Sequence, residues 1–151
     1  MDESFKIIEK LDKNKFEIWY MSYNGKPKGW YKVDKFLNKV PYHNVTNIYK
    51  QCDILLKSSW LESFSYPPLE MMATGGYVIV APNGGNKEYL KNEINSLFYK
   101  LGDINDAINR LIKDKNLQNK LYKNGLDTAK QRDWNNFKSQ ILSLYDIQFI
   151  D

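Results

Sequence analysis

In the stretch LESFSYPPLEMMATGG, Leu61 to Gly76, two carboxylates, Glu62 and Glu70, bracket Ser63, Phe64, Ser65, Tyr66 and a Pro-Pro pair. Paired acids can move a proton, accept hydrogen bonds from hydroxyls, or complement a helix dipole. Pro67 or Pro68 suits the first turn of a helix, where an N–H has no use. That start puts Glu62 in the preceding loop and Glu70 in the first turn of the helix. An acid in a first turn is common for a purely structural reason, the dipole. The residues between the acids add something more specific. Ser63 to Tyr66 can present backbone N–H groups and hydroxyls beside a helix N-terminus, a ready site for a phosphate. A carboxylate there accepts bonds from vicinal hydroxyls, as the acid of dinucleotide folds does with ribose. The set suits a ligand that carries both a phosphate and sugar hydroxyls.

The elements that must position these residues follow from the periodicity. Phe5, Ile8 and Leu11, widened by Ile7, mark a helix from Asp2. FEIWYMS, Phe16 to Ser22, reads as a strand that ends in the loop YNGKPKG, and YKVDKFL as a weaker strand ending near Leu37. Val45, Ile48, Tyr49 and Cys52 share one helical face, and DILLKSS is the next strand. After the acid-bearing loop and helix, Gly75 and Gly76 give a C-cap signal. YVIVA is a continuous apolar run, the mark of a parallel strand buried on both faces. PNGG then turns, Asn86 caps a short helix through Leu90, and SLFY is a further strand. Beyond Gly102, Asp103 caps a helix carrying Ile104, Ala107, Ile108, Leu111 and Ile112. Leu117, Leu121 and Tyr122 mark the next helix. The closing stretch DWNNFKSQILSLYDIQ puts Phe137, Ile141, Leu144 and Tyr145 on one face.

Strands alternating with helices predict an α/β fold with a parallel sheet and right-handed crossovers, half of a doubly wound architecture. Ligands of open parallel sheets bind outside the carboxyl ends of the strands. Three loops leave strand ends, Asn24 to Gly29, Ser58 to Tyr66 and Pro82 to Asn86, and the acid-bearing stretch is the middle one.

Composition narrows the partners. The 151 residues are 42% apolar and 15% aromatic with net charge +4, which suits one globular domain. Arginine is confined to Arg110 and Arg132, so the positive charge is dispersed lysine. Without Arg's bidentate fork, nucleic acid is not the expected partner. Lys26, Lys28 and Lys32 around Trp30 and Tyr31 read as a solvated loop with its aromatics packed inward. One cysteine, Cys52, excludes an internal disulfide, and the lone His43 offers no metal-ligand spacing and no nucleophile–base pair. No signal-peptide pattern and no apolar run of about 20 residues is present, so a cytoplasmic, soluble protein is expected.

The ordered series resembles a known family. Glu62-x7-Glu70 with Phe64 between, a Pro before the second acid, MMATGG and then YVIVAPNGG looks like the C-terminal half of retaining GT-B glycosyltransferases of family four. NVTNIYKQCDILLKSS resembles the helix and strand before that motif. GGNKEYLKNEINSLFY resembles its Gly-Gly-x-x-Glu segment, including Glu88, and DWNNFKSQILSLY its closing helix. The resemblance implies a Rossmann-like parallel sheet flanked by helices that lacks its first strand. Residues 1–151 are then one nucleotide-sugar-binding domain, with the N-terminal acceptor domain absent from this chain. It also implies a nucleotide-diphosphate-sugar donor, no cofactor and no metal, and a saccharide or lipid-linked acceptor held by the missing domain. By the same resemblance Glu70 holds the nucleotide ribose and Glu62 lies by the transferred sugar as the catalytic acid. The amides of Ser63, Phe64, Ser65 and Tyr66 contact sugar and diphosphate. In the loop after YVIVA, Gly84 and Gly85 are expected to bring backbone near the donor, the alternative being an ordinary tight turn. Many members carry Gly where this chain has Ser63 and Ser65. Surface-polysaccharide assembly in a bacterium, at the inner face of the membrane, is the implied setting. Exposed apolar surface on the closing helix, at Trp134, Phe137 and Ile141, is expected to drive self-association. The alternative is a nucleotide-sugar-binding scaffold without turnover.

Overall fold

The computed structural model describes residues 2–100 and 103–147. Gly102 and the end of the closing stretch at Gln148 lie outside them. The order is α1 (Asp2–Ile8), β1 (Trp19–Ser22), β2 (Lys35–Asn38), α2 (Tyr42–Tyr49), β3 (Ile54–Lys57), α3 (Tyr66–Ala73), β4 (Tyr77–Val80), α4 (Gly84–Lys87), β5 (Leu97–Phe98), α5 (Ile104–Lys113), α6 (Lys115–Gln131) and α7 (Trp134–Ile147). Every described strand pair is parallel. Among the described residues, no helix is long and apolar enough to cross a membrane.

Alternation in the strands sorts side chains onto two apolar clusters. Ile79, Ala81, Leu97 and Tyr99 face one side, where Phe5 and Ile8 of α1 and Ile104, Ile108 and Leu111 of α5 cover them. Val78 and Val80 face the other, against Val45 and Tyr49 of α2 and Met71 and Met72 of α3. β4 is buried on both faces, as its unbroken apolar run requires. The sheet is not continuous, however. β1 pairs with β2, and β3, β4 and β5 form a separate ladder in that order.

Several expected boundaries move, each for a local reason. β1 begins at Trp19 and not at Phe16, because Phe16 closes a turn onto the Asp12 carbonyl. The Ile18 N–H is then taken by Asp34 Oδ2 at 2.8 Å instead of a ladder. α2 ends at Tyr49, so Cys52 lies half-buried in the following turn and not on the helix face. Tyr31 is buried and stacks on Phe5 at 3.7 Å, while its neighbour Trp30 stays exposed, so only one of the two loop aromatics turns inward. α3 begins at Tyr66 with Ser65 as N-cap, which makes Glu70 its fifth residue and leaves no acid in the first turn. The Gly75–Gly76 signal holds. Gly75 has φ +85°, its N–H bonds the Met72 carbonyl, and the Gly76 N–H bonds the Met71 carbonyl. That pairing is a Schellman cap.

Candidate functional site

β3 and β4 are neighbours, so the loops that leave their carboxyl ends meet. Lys57, the last residue of β3, places its Nζ 2.8 Å from Glu62 Oε1, and both side chains are about three-quarters buried. The hydrogen bond from Lys57, with a smaller contribution from Ser59, holds the Glu62 carboxyl below the usual range. Asn83 Nδ2 donates to the Ser59 carbonyl at 2.9 Å and ties the loop after β4 to the loop after β3. Gly85 completes the junction. A Cβ there would meet the carbonyl oxygens of Glu62 and Ser63, the latter at 2.6 Å, so only glycine lets the two backbones touch. Gly84 is exposed and has open space around it.

The turn holding these glycines is built differently from its sequence reading. Asn83, not Asn86, is the N-cap of α4. Its Oδ1 accepts from the Asn86 N–H, while Asn86 Oδ1 accepts from the Asn83 N–H, both at 3.0 Å. Asn86 is fully buried, and its Nδ2 also donates to the Ala81 carbonyl at 3.0 Å. A capping box made by two asparagines is hard to assign a direction from sequence, since either residue can take either role.

Between the acids, Phe64 turns into the second apolar cluster. Its ring lies 5.0 Å from Tyr66 and 5.3 Å from Tyr89. The Tyr89 hydroxyl donates to the Ser65 carbonyl. Burial is the main cause that pushes the Tyr89 hydroxyl pKa upward, and the charges of Glu62, Glu88 and Glu70 add to it. Tyr89 thus sits where both candidate acids are felt. Arg132 lies 5.3 Å over the Tyr89 ring and 4.0 Å from exposed Glu88.

Ser65 Oγ is buried and has no hydrogen-bond partner. The cause is covalent. A serine N-cap accepts from the N–H of the second or third helical residue, and here those residues are Pro67 and Pro68. The same prolines remove two donors from the N-terminus of α3. An anion at this end must therefore rely on the amides of Ser63 to Tyr66 and on Lys57.

Glu70 is half-buried on the second turn of α3. Burial raises its pKa, and a hydrogen bond from the Tyr49 hydroxyl of α2 partly offsets that rise. Tyr49 was legible in the sequence only as an apolar helix position, and neither its hydroxyl nor that of Tyr89 carried a signal. Lys57 leaves its strand close to the acids, and the sequence alone left pairing with Glu62, pairing with phosphate and exposure to solvent open; the structure pairs it with Glu62. The third loop, Asn24 to Gly29, is mostly exposed, and the neighbouring Tyr23 hydroxyl is anchored on the Val40 carbonyl at 2.6 Å.

The sequence matches the family described as glycosyl transferases group 1 over residues 32–128, well over half of the chain and including both acids. The chain belongs to that family. A Campylobacter jejuni N,N'-diacetylbacillosaminyl-diphospho-undecaprenol alpha-1,3-N-acetylgalactosaminyltransferase is 30% identical over 121 residues, covering 74% of this chain and 32% of the relative. The Anabaena HepE protein, solved in complex with UDP-glucose, superposes with a TM-score of 0.67 at 25% identity, over 74% of this chain and 32% of its own. The C-terminal domain of the group 1 protein LpcC from Francisella tularensis superposes with a TM-score of 0.57 at 26% identity, over 65% of this chain and 52% of that one. The group 1 chain spans about a third or less of the length of the curated relatives it matches. Its fold is that of a partial C-terminal Rossmann-like half of a GT-B glycosyltransferase, with parallel strands flanked by helices.

Proposed function

We propose that this chain is the donor-binding part of a retaining glycosyltransferase that takes a nucleotide-diphosphate sugar. The observation that carries the reading is the pair of acids between β3 and β4, Glu62 in the loop that leaves β3 and Glu70 on the second turn of α3, held in different environments within a group 1 domain. Glu70, half-buried and steadied by Tyr49, holds the nucleotide ribose. Glu62, ionised beside Lys57, lies by the transferred sugar. The amides of Ser63, Phe64, Ser65 and Tyr66 meet the diphosphate, with Lys57 as the nearest cation and no metal assigned a role. Gly84, with open space at its Cα, lets the donor approach. Gly85 serves the site indirectly, by letting the loop that bears Glu62 pack.

In this reading the anomeric bond breaks toward an oxocarbenium-like state, and the leaving diphosphate accepts the acceptor's proton on the same face. Fixed donors aimed at the developing charge are the chain's main contribution. The acceptor, a saccharide or a lipid-linked saccharide in cytoplasmic glycoconjugate or surface-polysaccharide assembly, is held by an N-terminal domain outside these residues. The Campylobacter relative, whose name describes an undecaprenol-linked acceptor, supports that class.

Calorimetric titration with UDP and UDP-glucose tests the assignment. Glu70→Gln should weaken both ligands about tenfold or more, since a hydrogen bond to a charged acceptor contributes roughly 1.5–3 kcal/mol. Glu62→Gln should leave UDP nearly unaffected. Once the chain is joined to an acceptor domain, it should lower kcat far more than donor affinity. Equal losses of UDP binding in both variants would defeat the division of roles. Donor binding with no transfer in the joined enzyme would favour a non-catalytic scaffold.

A further inference from the structure

Tyr89 follows α4 and lies outside the stretch that carries the paired acids, yet its side chain ends on their loop. The ring is 2% exposed and packs 5.3 Å from Phe64 of that loop. The guanidinium of Arg132, at the end of α6, also lies 5.3 Å from it. The backbone of Tyr89 is anchored as well. Asn95 Nδ2 donates to the Tyr89 carbonyl at 2.8 Å and to Thr128 Oγ1 of α6 at 2.9 Å. The hydroxyl, kept protonated by burial, donates to the Ser65 carbonyl. That carbonyl belongs to the N-cap of α3, whose side chain cannot cap in the usual way. A capping hydroxyl fixes the backbone by accepting from the second or third helical N–H, and both positions are prolines here. Ser65 Oγ is accordingly buried and without a partner. Tyr89 supplies, from outside the helix, the restraint that the cap side chain does not.

The Ser65 carbonyl and the Tyr66 N–H are the two ends of one planar trans peptide, so they point in opposite directions. Holding the carbonyl on the Tyr89 hydroxyl therefore turns the Tyr66 N–H away from Tyr89. Tyr66 is the first residue of α3, where the helix itself supplies no acceptor for an N–H. It is also the only amide donor among the first three residues of that helix, because Pro67 and Pro68 have none. We propose that Tyr89 is a positioning residue: through the Ser65–Tyr66 peptide it aims the Tyr66 N–H at the diphosphate of a nucleotide-diphosphate sugar. The inference rests on the nucleotide-sugar reading and adds to that site a residue from beyond the acid-bearing stretch. A hydrogen bond from an N–H to a phosphate oxygen is charge-assisted, and it weakens steeply when misaligned. A peptide free to swing at this point must be ordered by the ligand, which lowers affinity, whereas one already held does not. Tyr89→Phe keeps the ring between Phe64 and Arg132 and removes only the hydroxyl that holds the peptide.

NMR titration of the whole isotope-labelled chain with UDP and with uridine tests this, uridine having the base and ribose without the diphosphate. In the unaltered chain UDP should move the Tyr66 amide resonance, and uridine should not. Tyr89→Phe should weaken UDP about fivefold or more while leaving uridine within about twofold. A residue that served only to pack the core would lower both ligands together or neither. Tyr66→Pro deletes the amide proton itself, at a helix position that suits proline. Because Tyr89 acts through that amide, the double variant should bind UDP no more weakly than Tyr66→Pro alone. If Tyr66→Pro does not fold, the UDP and uridine comparison in Tyr89→Phe and the Tyr66 resonance of the unaltered chain still decide. UDP binding that is equal in the parent and Tyr89→Phe, or that leaves the Tyr66 amide unmoved, overturns the inference while the nucleotide-sugar reading stands. Equal losses of UDP and uridine, or additive losses in the double variant, overturn it too. An unaltered chain that binds no UDP removes that reading and the inference with it.

Discussion

Lys57 keeps Glu62 ionised, whereas burial works against the charge on Glu70, so pH and substitution should separate the two acids even without a ligand. The folded-state pKa of Glu70 lies above its ordinary value near 4.5. Between those values the folded chain binds a proton that the unfolded chain has released. Stability from this group is therefore present below 4.5 and is lost as pH rises through the folded-state value. At neutral pH the half-buried carboxylate is a standing cost, so Glu70→Gln should raise Tm by roughly 1–3 °C at pH 7 while weakening UDP. Glu62 has the opposite sign. Its folded-state pKa is depressed, so its contribution is present above 4.5 and is lost as pH falls through the depressed value. Glu62→Gln should lower stability at pH 7 by about 0.5–1 kcal/mol, the pair being partly solvated, and should flatten the acid limb of the unfolding profile. Calorimetric melts from pH 3 to 8 read both, and a destabilised Glu70→Gln would mean that its carboxylate is structurally engaged in a way burial does not describe.

Among the elements, α4 and the loop before α3 act as a unit whose contact is the Gly85 backbone. Gly85→Ala forces a methyl group into the Glu62 and Ser63 carbonyls, and should cost about 1–3 kcal/mol while displacing Glu62. Gly84→Ala meets nothing within 4 Å and should leave Tm unchanged, so a loss of UDP-glucose affinity in that variant reports the donor itself. Unchanged affinity would remove Gly84 from the site. The same contact shows what was readable beforehand. Gly75–Gly76 and the prolines marked the two ends of α3 because each acts through its own backbone geometry. The apolar run of β4 announced a doubly covered strand for a similarly local reason. Gly85 read as a glycine near the donor or as an ordinary tight turn, and its contact with the Glu62 loop carried no signal because that loop lies more than twenty residues away. Glu70 was misplaced by one turn because Ser65 caps ahead of the prolines, although neither of their nitrogens can bond its hydroxyl. The break between β1 and β3 was invisible in the alternation, which describes each strand's faces and says nothing about which edges meet.

At the scale of the molecule, the exposed area is 10084 Å² for 17.8 kDa, whereas a compact monomer of that mass exposes about 8000 Å². Part of the excess lies on α7, where Trp134, Phe137, Leu144 and Tyr145 are 66%, 41%, 64% and 59% exposed. With half-buried Ile141 they recur at helical spacing, a stripe with the pattern of a buried face and the exposure of a surface one. Apolar stripes of this kind drive association, so the chain should self-associate at high concentration through α7. Sedimentation velocity at about 5 and 200 µM should show a concentration-dependent increase in mass for the unaltered chain and none for Trp134→Ser/Phe137→Ser. That pair of residues is already exposed, so the double variant should keep its Tm within about 1–2 °C, which separates loss of association from loss of folding. If the double variant associates as strongly as the parent, the contact lies elsewhere on the molecule. If neither associates, α7 is exposed without being adhesive, and its stripe needs the acceptor domain proposed above to explain it.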